Sequence, residues 1–82
     1  MSIIIGLKLS DRIEIAVNLQ KILSKYGCNI KTRIGLHDIN NGKCSDCGII
    51  LLEFIGNNNL LNVFIKELSA IEYMDVKIMN FD

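Results

Sequence analysis

The 82-residue sequence has no proline, one histidine, and only two Tyr and three Phe to serve as aromatics. A chain this short removes about 60% of its unfolded surface from water and lies near the stability margin. With so few large rings to fill a core, help from a partner subunit is expected. The chain also lacks an excess of either charge, since nine basic residues cancel nine acidic ones. That balance argues against an electrostatic nucleic-acid binder, because sequence-independent affinity for phosphates needs a basic excess or patch. Half of the residues are hydrophobic and 22% are charged, which is too apolar and too weakly charged for disorder.

Other absences narrow the classes further. The opening Met1-Ser2-Ile3-Ile4-Ile5 has no basic region, and Gly6 and Lys8 interrupt the apolar run. It therefore matches neither a signal peptide nor a membrane span, and a cytoplasmic location is expected. Three cysteines are an odd number, and in a reducing compartment they are expected as thiols. The six glycines are scattered singly, so no phosphate-cradling loop exists. Ser2, Ser10, Thr32 and Ser69 have no catalytic motif around them, and a single His gives no spacing for a nucleophile, base and orienting acid. The expectation is a protein that is not an enzyme.

What is present reads as one domain across 1–82. Residues 2–9 alternate as a strand with Ile3, Ile5, Leu7 and Leu9 on one face and the apolar Ile4 on the other. Asp11 precedes Glu14 by three positions, a variant of the capping box, and opens an amphipathic helix with Ile15, Ala16, Leu19, Ile22, Leu23 and Tyr26 on one side. Gly27 provides its stop. Residues 28–36 form a second strand in which Cys28, Ile30, Thr32, Ile34 and Leu36 alternate with a polar face carrying Lys31, Arg33 and Gly35, the mark of an edge. Residues 37–47 form a long hairpin around Asn41-Gly42. The next strand, 48–55, is apolar on both faces, with Ile50, Leu52 and Phe54 on one and Ile49, Leu51 and Ile55 on the other. After the cap cluster Asn57-Asn58-Asn59 comes a helical stripe of Leu60, Leu61, Phe64, Ile65, Leu68 and Ile71, then a strand over 73–81.

The order βαββαβ specifies an α+β, ferredoxin-like sandwich. Its sheet has four antiparallel strands, the first and third central, with two helices on one face. The residues Arg33-Ile34-Gly35, Gly48-Ile49-Ile50-Leu51-Leu52-Glu53, Leu68-Ser69-Ala70-Ile71 and Val76-Lys77-Ile78-Met79 carry a resemblance over the whole chain. The chain resembles the iron-only hydrogenase system regulators, which are ACT-like and related to the C-terminal domain of the nickel-responsive regulator. The resemblance implies a small oligomeric regulatory or ligand-sensing domain, linked to anaerobic hydrogen metabolism, with no reaction of its own and a protein partner to regulate. The hairpin containing Cys44-Ser45-Asp46-Cys47 is longer than that pattern, and no ligand carries over onto a residue here.

Three groups of residues are candidate sites. Cys44-x-x-Cys47 can chelate a soft divalent metal such as zinc, nickel or iron, with His37 across the hairpin as a third ligand; the alternatives are a pair of reduced loop cysteines beside a solvated histidine, or a reversible dithiol, which is disfavoured because such redox pairs open a helix and this one precedes a strand. Three ligands do not close a tetrahedral site, so a fourth must come from Asp38, Asp46, water or a dimer mate. Arg33 and Gly35 on the outward face of the second strand can receive an anionic ligand or a partner chain, or Arg33 is an edge charge that opposes aggregation. Cys28 reads as a small buried hydrophobe. Finally, two helices cover only one face of the sheet. The other presents Ile4, Ile49, Leu51 and Ile55, a strip for which a second copy, as a homodimer or higher oligomer, is the expected cover.

Overall fold

A computed structural model describes residues 2–9, 13–40 and 43–81, apart from the side chains of 13, 37–40 and 43–47. Strand β1 (Ile3–Leu9) is followed by helix α1 (Ile13–Lys25), strands β2 (Ile30–Asn40) and β3 (Lys43–Phe54), helix α2 (Asn58–Ser69) and strand β4 (Met74–Asn80). The sheet order is β2-β3-β1-β4 with every neighbour antiparallel. This is the ferredoxin-like α+β arrangement expected, with β1 and β3 in the middle. The cap at Asp11 and the turn at Asn41-Gly42 lie outside the described residues.

The core follows from the two periodicities. Every second residue of β1, namely Ile3, Ile5 and Leu7, is fully buried, as are Leu52 and Phe54 of β3. Onto them α1 brings Ile15, Leu19 and Leu23, and α2 brings Leu61, Phe64 and Leu68, the four-residue recurrence of a one-faced helix. Ala16, expected in the α1 stripe, is exposed; it lies one residue, about 100°, away from Ile15 and falls outside the contact line. Asn57 starts α2 as expected, its Oδ1 accepting the Leu60 N–H at 2.8 Å, which satisfies one of the orphan donors of the first turn.

Two boundaries differ from the sequence reading. α1 stops at Lys25, and residues Gly27–Asn29 form a 3-10 turn in which Asn29 N–H donates to the Tyr26 carbonyl at 2.8 Å. Gly27 is not a left-handed stop; the glycine with positive φ among the described residues is Gly56. Cys28 is therefore in a turn before the strand, and it is exposed. The expectation of a buried Cys28 fails because it assumed strand pairing two residues too early. The second difference is that β2 and β3 continue through most of the expected 37–47 loop. β1 stops pairing at Gly48, so the ends of β2 and β3 project past the four-stranded sheet as a two-stranded ribbon.

Phe64 is the hub of the ring packing, with centroids 4.7 Å from Tyr26 and 5.5 Å from Phe54. Truncating a fully buried aromatic removes its transfer free energy and leaves a cavity, about 3–5 kcal/mol in total. Set against the 5–15 kcal/mol typical of a whole domain, that loss is severe. Phe64→Ala is expected to lower the chemical-denaturation midpoint by at least about a fifth at unchanged m-value; a midpoint within experimental error of the parent would show that the helix layer does not stabilise the sheet.

Candidate functional site

The face opposite the helices is decided by one extra residue in β2. Ile30 pairs with Phe54 and Thr32 with Glu53, so two steps along β2 match one along β3. Lys31 is the insertion of a β-bulge, and beyond it the strand's faces are exchanged. Ile30 packs towards the core, whereas Ile34 and Leu36, expected on that same side, pair with Leu51 and Ile49 and lie 49% and 48% exposed. Arg33 and Gly35 were expected to face outward. They instead oppose Leu52 and Ile50 on the helix side, where Arg33 Nη1 donates to Gln20 Oε1 of α1 at 3.2 Å. The alternation holds on each side of Lys31, and its phase changes across it.

The uncovered face can therefore be mapped by register. One row across the sheet, from β2 to β4, is Thr32, Glu53, Ile4 and Met79; the next is Ile34, Leu51, Gly6 and Lys77; the third is Leu36, Ile49, Lys8 and Asp75. Ile4, Ile49 and Leu51 share this face as expected, and Ile55 continues the β3 alternation, its N–H donating to the Asn29 carbonyl. Sequence reasoning missed Ile34, Leu36 and Met79, the last of which is 50% exposed. Thr32 Oγ1 donates to Glu53 Oε1 across the strands at 3.2 Å.

The three proposed metal ligands lie on the projecting ribbon. His37 pairs with Gly48, the neighbour of Cys47, and Cys44 pairs with Ile39. Between those two pairs β3 advances four residues while β2 advances two, a second irregularity that falls between Cys44 and Cys47. The side chains of all three lie outside the described residues. Among the residues that are described, no three His, Cys, Asp or Glu side chains gather as a metal site.

A further concavity was not foreseen. A groove of about 680 Å³ runs between α1 and the turn joining α2 to β4, lined by Glu14, Asn18 and Lys21 on one wall and Glu67, Glu72 and Tyr73 on the other. Tyr73 holds φ at 63°, a left-handed conformation that costs a side-chain-bearing residue of order 1 kcal/mol. Beneath the groove Lys25 Nζ meets Glu67 Oε1 at 2.7 Å and sits 5.5 Å from the Tyr26 ring centroid. The Lys25 hydrogen bond first, and the Tyr26 hydroxyl second, hold the Glu67 carboxyl below its ordinary range. The same carboxylate raises both the Lys25 ammonium and the Tyr26 phenol.

No family model and no curated protein match the chain, so the name suggested by the sequence resemblance has no support from either. Solved structures do match. An uncharacterized protein from Thermotoga maritima aligns with a TM-score of 0.83 at 19% identity, over 95% of this chain and 92% of that one. A formyltetrahydrofolate deformylase from Pseudomonas putida aligns with a TM-score of 0.60 at 12% identity, covering 98% of this chain and 29% of its own. A PII-like protein CutA from a Nostoc species aligns with a TM-score of 0.47 at 16% identity, too low to argue from. At these identities the first two establish the fold. Among the described residues no helix is long and apolar enough to cross a membrane.

The depressed Glu67 carboxyl has a sign that can be measured. A carboxylate favoured in the folded state stabilises above its unfolded value, near 4.5, and that contribution is lost as pH falls through the lower folded value. Glu67→Gln is expected to lower Tm at pH 7 and to converge with the parent as pH falls below 4.5 and through the lower folded value. Parallel Tm curves across that window would remove the Lys25–Glu67 pair as a link between the helices.

Proposed function

We propose that this chain is a non-enzymatic, homo-oligomeric regulatory module that senses a small molecule or metal and passes the signal to a protein partner. The observation that carries the reading is the uncovered apolar sheet face, continuous across β2, β3 and β1. A face of that kind is completed by another chain, and assembly is the simplest event a bound ligand can bias. The ferredoxin-like fold, shared with the Thermotoga protein over nearly the whole of both chains, is compatible with such a role. The connection to the iron-only hydrogenase system rests on the four segments quoted from the sequence.

Ligand binding to the folded state raises stability by mass action, about 2.7 kcal/mol at a hundredfold excess over Kd. For a domain of this size that is a rise in Tm of roughly 10 °C or more. Thermal melts against amino acids, nucleotides and divalent metals are expected to show such a shift for one class; a flat response across all three would favour a purely structural assembly domain.

A second reading, a metal-binding protein, is favoured by the ladder that brings His37, Cys44 and Cys47 into one short ribbon. Elemental analysis after purification without chelator tests it: zinc, nickel or iron near one per chain or per dimer supports the site, and less than about 0.2 per chain sinks it.

A further inference from the structure

The uncovered face is not uniformly apolar, and its pattern selects one way for two copies to meet. Its apolar residues run diagonally, from Leu36 and Ile49 at one corner through Leu51 to Ile4 and Met79 at the other. The two remaining corners are charged and opposite in sign. Glu53 occupies one, and Lys77 and Lys8 with a single Asp75 occupy the other. Among the described residues neither Glu53 nor Lys77 enters an ion pair within the chain.

We propose that a second copy of this chain seats face to face on this sheet, with the two-fold axis along the apolar diagonal. This rests on the homo-oligomeric reading above and adds the geometry of the pair. The diagonal spans three strand spacings of about 4.8 Å and two pleat repeats of about 6.7 Å, so it lies near 45° to the strands. Rotation about it crosses the two sets of strands at about 90°, one of the two angles at which sheets pack. The rotation maps the diagonal onto itself, placing Leu51 on Leu51 of the partner subunit and Ile34 on Ile49 of the partner subunit. It exchanges the charged corners, so Glu53 falls between Lys77 and Asp75 of the partner subunit, nearer the lysine, twice per dimer, while Lys8 falls on the edge strand beside Ile34 and Thr32 of the partner subunit, where its long stem reaches water.

Two other symmetric placements are worse on the same map. An axis along the strands buries Lys77 against Ile34 and Asp75 against Leu36, leaving desolvated charges unpaired. An axis across the strands sets Lys77 on its own copy and Asp75 on Met79. The size also fits. At the exposures observed, the apolar side chains of these three rows leave roughly 400 Å² in water, within the range of a monomer's largest patch. With the charged corners the face approaches the ~800 Å² per partner of a standard stable interface.

Sedimentation equilibrium on the whole chain tests this. The parent is expected to be dimeric, and Leu51→Asp to weaken the dimer by at least about 100-fold with far-UV circular dichroism unchanged. Glu53→Lys and Lys77→Glu are each expected to weaken it about tenfold, and the double variant to return within about threefold of the parent. Because both charges are on the surface, that cycle remains decisive if Leu51→Asp does not fold. A double variant no tighter than the singles overturns the diagonal axis. A dimer indifferent to Leu51→Asp overturns face pairing while leaving the homo-oligomeric reading in place, as an edge-to-edge assembly. A parent chain that stays monomeric at about 100 μM overturns both and leaves the face to a different chain.

Discussion

Two helices cannot cover both sides of one sheet, and nearly everything distinctive in this molecule follows from that shortage. α1 and α2 both pack on the side where Ile3, Ile5, Leu7, Leu52 and Phe54 are buried. The central strand β3 nonetheless carries Ile49 and Leu51 on its other side. A polar reverse face would make the subunit self-sufficient. The apolar one makes contact with another chain part of the thermodynamics of the fold, because side chains of this size gain about 1.5–3 kcal/mol each on leaving water.

The ferredoxin-like order was legible because it depends on robust signals. Alternation in β1, the doubly apolar β3, the stripe from Leu61 to Leu68 and the Asn57 cap each have a local physical cause, and each appears where the residues place it. The faces of β2 were not legible. A bulge leaves no mark in a hydropathy pattern when the residue it inserts is an ordinary lysine, and Lys31 continues a plausible alternation. The consequence runs through the candidate site: Arg33 bonds to Gln20 on the helix side, while Ile34 and Leu36 join the open face. Cys28 was misplaced for a related reason, since the 3-10 turn at Gly27–Asn29 delays the strand by two residues.

The sites divide by how far each stands from the core. The sheet face is fixed by three ladders and inherits their rigidity. The groove beside Tyr73 is formed by helix surfaces joined through Lys25 and Glu67, an exposed pair of a kind that contributes little stability. The ribbon with His37, Cys44 and Cys47 has no third strand beside it, and two strands alone are marginal in water.

The bulge at Lys31 also has a meaning for descent. Loss of that single codon would close the bulge and leave Thr32, Arg33, Ile34 and Leu36 opposite the partners they have now, because the inserted residue is the one without a partner of its own. A lineage can thus gain or lose a residue here and keep the same sticky surface, and a change in its appetite for self-association has to come by replacing Ile34 or Leu36 themselves.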